Sequence, residues 1–137
     1  MISKTQSAMF VFVAVTALSL GFTPAFAFST YDTVRHNNVQ SGYSQIAGTI
    51  YDDPCGAGSE ITTDYLKTGV NVPGGDVVKV KYTTSGCTIN TISITIYVDG
   101  VEKASTTKTS ASSTHTFGGI PLSVGDDVKA VVYYNLS

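Results

Sequence analysis

Apolar and polar residues alternate with a period of two along most of the chain beyond residue 43. The clearest stretch is residues 91–98, TISITIYV, whose even-numbered positions are all aliphatic. A period of two is typical of a β-strand that buries one face, because successive side chains point to opposite sides. No stretch beyond residue 27 shows the period of 3.6 that an amphipathic helix needs. The pattern therefore predicts an all-β protein.

Seven strands are predicted from this alternation and from the turn-forming residues between them. They cover residues 44–51, 60–67, 77–84, 91–98, 101–109, 114–117 and 128–135. The strand at 101–109 is polar and carries Lys103 and Lys108, which favours a place at a sheet edge. Asp99 and Gly100 precede it, a pair that favours a two-residue type I′ hairpin turn.

One phrase occurs twice, as GGDVVKVKY from Gly74 and as VGDDVKAVVY from Val124. In both copies a Gly-Asp pair follows a loop that contains proline and precedes a predicted strand. We expect Gly75 and Gly125 to adopt positive φ, and the aspartates after them to accept hydrogen bonds from local backbone amides. The repeat then marks two turn-into-strand corners of one domain, since about 110 residues cannot house two ordinary cores.

Residues 1–27 have the pattern of a secretory signal peptide. Lys4 precedes an uncharged, mostly apolar run at residues 8–22, and the Ala-Phe-Ala that ends at Ala27 resembles a cleavage site. The run is shorter than the roughly 20 apolar residues of a membrane span. We therefore predict export with cleavage after Ala27, a secreted or cell-surface location, and no membrane attachment of the mature chain.

Three stretches resemble strands of immunoglobulin-like and fibronectin type III-like secreted domains: GGDVVKVKYTTSG, TISITIYVDG and HTFGGIPLSVGDDVKAVVYY. They are similar to the second, third and last-but-one strands of those domains, and the resemblance covers residues 72–134. It implies a single antiparallel β-sandwich of about seven strands over residues 44–137. It implies no chemistry, because such folds host unrelated functions.

The polar segment at residues 28–43 has no core pattern of its own. The resembling folds have one more strand after the one at 128–135, whereas this chain stops at Ser137. An unpaired edge on that strand would invite another strand. Three roles stay open for residues 28–43: a strand folded back within the chain, a strand donated to a neighbouring copy, or a disordered lead.

Charge and cysteine content narrow the class of protein further. The whole chain has a formal net charge of −2, and residues 28–137 show no basic run, which argues against a nucleic-acid or anionic-membrane partner. The chain has an even number of cysteines, Cys55 and Cys87, and is predicted to be exported, which favours a disulfide between them. His36 and His115 lie too far apart for a zinc-ligand spacing, and no cofactor is predicted.

Groups that could carry chemistry are sparse. No nucleophile elbow accompanies the many serines, so a small secreted hydrolase is the least favoured interpretation. Asp52, Asp53 and Glu60 flank a Gly-rich loop and could offer oxygen ligands to Ca²⁺, against the alternative of a solvated turn without metal.

Two positions are predicted to contact other molecules at the surface. Tyr97 should face outward because Ile96 and Val98 face inward, which makes it the candidate aromatic contact for a ligand. Asn135 begins a glycosylation sequon, Asn-Leu-Ser.

Together these features favour a secreted, non-catalytic structural or adhesive protein that associates with itself as a surface or filament subunit. The alternative is an extracellular module that binds a carbohydrate or a cell-surface protein through Tyr97 and loop residues.

Overall fold

The computed structural model describes residues 28–137, so the predicted signal peptide at 1–27 lies outside the described residues. No helix within the described range is long and apolar enough to cross a membrane. The described chain forms nine strands: β1 Phe28–His36, β2 Gly42–Ile46, β3 Ile50–Asp52, β4 Glu60–Val70, β5 Val77–Ser85, β6 Ile89–Val98, β7 Val101–Lys108, β8 Ser112–Gly118 and β9 Val128–Leu136.

The strands build two antiparallel sheets, as the sequence predicted. The front sheet has the order β1-β9-β6-β7, and the back sheet has the order β2-β4-β5-β8 with β3 also paired to β4. The expected count of about seven strands is wrong by two. Residues 28–36 form an additional strand, so the sandwich begins before residue 44, and the strand predicted at 44–51 is divided into β2 and β3.

The core lies between the inward faces of the two sheets. In β6 the predicted inward face is confirmed, since Ile92, Ile94, Ile96 and Val98 are all buried. In β9 every second residue is buried, and β5 contributes Val78, Val80 and Tyr82. β7 lies at the outer edge of the front sheet, as its polar sequence predicted.

The predicted turns have the conformations that their residues require. Asp99 and Gly100 adopt φ of 52° and 83° in the hairpin between β6 and β7, which matches a type I′ turn. Gly75 and Gly125 adopt φ of 100° and 96° before β5 and β9. Each of these glycines occupies the left-handed region, which other residues enter only at a cost.

The two Gly-Asp corners hold the adjoining loops through their carboxylates, as predicted. Asp76 accepts hydrogen bonds from the backbone amides of Leu122 and Asn71, at 2.9 Å each, and these bonds lower the pKa of its carboxyl. Asp126 accepts a bond of 2.8 Å from the backbone amide of Ser123. Asp76 therefore links the loop after β4 to the loop before β9.

A close backbone contact explains why the strand predicted at 44–51 is interrupted. The Gly48 amide donates to the Thr63 carbonyl of β4 at 3.1 Å, outside the regular ladders. A Cβ at Gly48 would lie 2.6 Å from the Thr63 Cβ, so only glycine fits there. β4 shifts register against β5, on its other side, between Thr63 and Tyr65, whereas β2 and β3 pair with β4 in one continuous register, so the interruption lies beside this bulge.

The disulfide between Cys55 and Cys87 is confirmed. The two residues lie 32 positions apart, and their Cα atoms are separated by 5.4 Å. The bond joins the loop before β4 to the turn between β5 and β6. It lies at the margin of the core, where both half-buried cysteines pack against buried residues.

Within residues 28–137, one hydrogen bond between hydroxyls crosses the core. Thr63 Oγ1 of the back sheet lies 2.6 Å from Tyr134 Oη of the front sheet. Burial of Tyr134 raises the pKa of its phenol, and the ring packs edge-on against Tyr82 with centroids 6.2 Å apart. The bond fixes how the two sheets align at this level, because both hydroxyls would otherwise be buried without a partner.

We expect the single variants Thr63→Val and Tyr134→Phe each to lose about 1–3 kcal/mol of unfolding free energy, because each leaves one buried hydroxyl unpaired. The double variant should lose less than the sum of the two, since it removes both partners. Denaturant unfolding of the four proteins measures the coupling. Additive losses would show that the hydroxyls do not interact.

Candidate functional site: the N-terminal edge strand

β1 is the most unusual element of the sandwich. It is the first strand of the described chain, yet it lies at the edge of the front sheet next to β9, the last strand. Phe28–His36 pairs antiparallel with β9 over nine consecutive positions, from Phe28 opposite Leu136 to His36 opposite Val128. β9 therefore has a neighbour on each side, β1 and β6. The structure places residues 28–36 in a folded strand rather than in a disordered lead.

The inward face of β1 is far more polar than the inward faces of β6 and β9. Only Val34 and the half-buried Phe28 contribute apolar surface to the core, while Asp32 is 4% exposed. Asp32 Oδ2 accepts a hydrogen bond of 2.9 Å from the Thr49 amide. β1 is thus held by its ladder and a few polar contacts, with little burial of apolar surface.

Fixed contacts follow directly after β1. Val39 is fully buried, its amide donates to the Asp126 carbonyl at 2.9 Å, and its carbonyl accepts from the Gly125 amide at 2.8 Å. Between β1 and Val39, Asn38 adopts a left-handed φ of 60°. Residues 37–38 therefore link β1 to an anchored residue, and they are where the chain would bend if β1 paired with another copy.

Two surface contacts fasten the ends of β1. The Arg35 guanidinium pairs with the Asp127 carboxylate at 2.7 Å, which lowers the pKa of that carboxyl and raises the pKa of Arg35. The Tyr51 hydroxyl donates to the Tyr31 backbone carbonyl at 3.0 Å. Exposed ion pairs contribute about 0–1 kcal/mol to the free energy of unfolding, so the Arg35–Asp127 pair adds little to the attachment of β1.

The outward face of the front sheet carries tyrosines, which we call the tyrosine face: Tyr31, Tyr133 and Tyr97. Tyr31 is 64% exposed and its ring centroid lies 4.8 Å from that of Tyr133. Tyr97 faces outward as predicted, but the Lys129 ammonium lies over its ring, 4.7 Å from the centroid. Its role as a ligand contact stays a prediction.

Sequence reasoning missed the two most exposed tyrosines of the described chain, Tyr31 and Tyr43, at 64% and 58% exposure. Both lie in the polar segment 28–43, where no apolar alternation marked strands. The only available signal was their Thr-rich and Ser-rich surroundings, which are equally typical of a loop.

The remaining predicted site residues are divided between the two sheets. Asn135 is on the outward face of β9, opposite Ser29 on one side and Thr91 on the other, so a glycan there would cover one end of the front sheet. Asp52 and Glu60 face each other across β3 and β4, and Asp53 Oδ1 accepts from the Gly58 amide. No group of three or more His, Cys, Asp or Glu side chains within residues 28–137 could hold a metal ion.

The two histidines lie in separate surroundings. His36 Nε2 lies 3.4 Å from Ser44 Oγ, and its Nδ1 lies 3.4 Å from the Thr68 hydroxyl, where a catalytic triad would have a carboxylate. The His115 ring packs edge-on against that of Phe117, with centroids 4.4 Å apart, and burial together with Lys108 lowers the pKa of its imidazole. The Ser44–His36 contact therefore lacks the orienting acid of a triad.

No protein-family model, curated protein or solved structure matches this chain.

Proposed function

We propose that the protein is an exported, non-catalytic structural or adhesive subunit whose copies associate by exchanging β1. The observation that supports this proposal most is the pairing of β1 with β9. β1 is an edge strand with a polar inner face, and it pairs with β9 along nine positions. The predicted signal peptide and the disulfide support export, since disulfides persist in oxidising compartments.

The strand order supports an immunoglobulin-like sandwich with a substituted last strand. In such folds one sheet has the order C′-C-F-G, where C and C′ form a hairpin. Here β7, β6 and β9 follow the order C′-C-F, and β4, β5 and β8 follow the order A-B-E of the other sheet. The place of the last strand, G, is taken by β1. The sandwich thus depends on a segment from the opposite end of the chain.

Donation to a neighbouring copy would preserve every contact that β1 makes. The ladder with β9, the Arg35–Asp127 ion pair and the Tyr31–Tyr133 stack are the same whether β1 belongs to that chain or to the next. A bend at residues 37–38 would let β1 swing away while Val39 stays anchored in its own domain. Such strand addition is a general mode of β-augmentation.

A pair of cysteines across β1 and β9 tests the proposal. Thr33 and Val131 are directly opposite and face outward, so Thr33→Cys with Val131→Cys places two thiols within disulfide reach. If β1 is donated, oxidation of the assembled protein at high concentration should give a ladder of covalent multimers on non-reducing gels. If β1 only folds back, all product should migrate as a single chain.

The matched control uses the same row of the same sheet. Thr95 and Ser105 are directly opposite within the β6–β7 hairpin, so Thr95→Cys with Ser105→Cys can bond readily only inside one chain. It should give single chains under the same conditions. Single chains from both double variants would contradict strand donation, whereas multimers from both would indicate random oxidation.

The second candidate function is an extracellular module that binds a carbohydrate or a protein. The observation in its favour is the exposure of Tyr31 and Tyr43, since tyrosines combine an apolar ring with a hydroxyl that hydrogen-bonds. A hydrolase stays the least favoured function, because the Ser44–His36 contact has no carboxylate behind it.

A further inference from the structure

Three of the lysines in residues 28–137 come together on the outer face of the back sheet. Lys67 of β4 and Lys79 of β5 are directly opposite partners, and Lys81 is two residues further along the same face. All three side chains are partly exposed. The sequence shows no basic run, and the patch arises only because the β4–β5 register brings distant lysines into contact range. We call this group the lysine patch.

None of the three lysines forms an ion pair within the described chain, although the Asp64 carboxylate, at the bulge beside Lys81, accepts a hydrogen bond from the Thr83 hydroxyl. The only ion pair among residues 28–137 is that between Arg35 and Asp127, on the other sheet. Like charges directly opposite each other on a sheet destabilise it. A Lys67–Lys79 pair without an acidic partner therefore costs stability in the isolated fold, and an anionic ligand would remove that cost.

Aromatic and hydroxyl groups surround the lysines. The Lys67 ammonium lies 5.1 Å from the ring centroid of Tyr43, which is 58% exposed. Tyr65 is directly opposite Lys81 on β4. Thr116 and Thr114 of β8 are directly opposite Lys79 and Lys81 on the other side. Tyrosine rings and threonine hydroxyls are suited to contact with sugar rings and sugar hydroxyls.

An open groove continues from the patch toward one end of the sandwich. Its volume is about 480 Å³, and its wall includes Val77, Thr116 and glycines from the loops before β5 and after β8, together with Asp76, so this end of the surface suits an uncharged part of a ligand. Thr116 also borders Lys79, so patch and groove form one surface. The glycines leave backbone amides and carbonyls accessible to a ligand, because they carry no side chain.

We propose that this surface binds an acidic polysaccharide. The lysine patch contacts the carboxylates or sulfates of the ligand, and the groove holds a neighbouring sugar unit. The sequence predicts no nucleic-acid partner, because residues 28–137 have no basic run that could follow a phosphate backbone. Three lysines among tyrosines and threonines suit a ligand whose negative charges are carried on sugar rings that also bear hydroxyls. The surface is on the sheet that β1 does not join, so the inference is independent of strand exchange.

The test measures binding of the intact exported protein to alginate and to dextran sulfate, with uncharged dextran as a neutral counterpart. Lys67→Gln, Lys79→Gln and Lys81→Gln together should weaken binding to at least one acidic polysaccharide by tenfold or more. The matched control, Lys103→Gln, Lys108→Gln and Lys129→Gln, removes the same charge from the front sheet and should keep wild-type affinity. Circular dichroism shows whether both triple variants stay folded.

Additional measurements separate this site from nonspecific ion exchange. Tyr43→Ala should weaken binding several-fold, because it removes the exposed ring beside Lys67. The proposal is overturned if neither acidic polysaccharide binds, if both triple variants lose affinity equally, or if single-stranded oligothymidylate binds as tightly as the polysaccharides. Binding to one acidic polysaccharide but not the other would support the site and identify the preferred acid group.

Discussion

Deletion of residues 28–36 is expected to lower the free energy of unfolding by at least about 3 kcal/mol. The deletion removes buried Val34 and the whole ladder on β9 together, and each makes a separate favourable contribution. At roughly 4–8 °C per kcal/mol for a domain of this size, the melting temperature should fall by 12 °C or more. Thermal unfolding followed by circular dichroism measures the loss.

The truncated protein should also change its state of association. β9 becomes an edge with unpaired N–H and C=O groups along a strand whose inner face is apolar except for the Tyr134 hydroxyl. Such an edge promotes irregular pairing between copies. Regular oligomers that depend on β1 should disappear, and size-exclusion chromatography should show monomer or heterogeneous aggregate instead.

If the truncated chain fails to fold, the missing strand can be added back as a separate peptide, so the deletion still tests the role of β1. A synthetic peptide of residues 28–36, FSTYDTVRH, should restore the melting temperature when added during refolding. A peptide with Val34→Asp should fail, because that side chain is buried, whereas a peptide with Thr33→Asp should still work, because Thr33 faces solvent. An unchanged melting temperature without peptide would show that β1 does not complete the sheet.

Removal of the disulfide by Cys55→Ala with Cys87→Ala is expected to cost about 3–4 kcal/mol. The bond closes a loop across 32 positions, which restricts the unfolded chain, and the chain-entropy model assigns this amount to loops of that length. The loss should appear in denaturant unfolding as a lower midpoint, with the folded chain still all-β by circular dichroism.

Ser59→Ala provides the control, because the cysteine loop is also held by hydrogen bonds of its own. Ser59 Oγ accepts from the Cys55 amide at 2.8 Å and donates to the Gly56 carbonyl at 2.6 Å. This variant should cost about 1 kcal/mol, well below the effect of removing the disulfide. A disulfide-free protein that loses less than the Ser59→Ala variant would show that the hydrogen bonds, and not the covalent link, hold the loop.

Elements with an apolar alternation were predictable from sequence to within a few residues. The four buried side chains of β6 and the Asp99-Gly100 turn after it were correctly predicted, because both depend on neighbouring residues alone. One-sided burial repeats every second residue, and positive φ is a property of single turn positions. The pairing of Cys55 with Cys87 was predictable because only two cysteines are present.

The two surfaces to which we assign proposed functions were not predictable in the same way. β1 has Thr30, Asp32 and His36 on its inward side, so no apolar pattern marks it as a strand. Residues 28–36 form a strand because their backbone groups pair with those of β9 along nine positions, and β9 lies about a hundred positions away in the chain. The lysine patch likewise depends on the β4–β5 register and has no signature in consecutive residues.

The sequence by itself determined the all-β class, the turns, the inward face of β6 and the disulfide. The tertiary structure alone decided which segment pairs with β9, where Tyr31 and Tyr43 are exposed, and that Lys67 lies opposite Lys79. The physical reason is the range of the interactions. Turn geometry and one-sided burial act between near neighbours, whereas strand pairing satisfies backbone groups wherever the folded chain leaves an edge open.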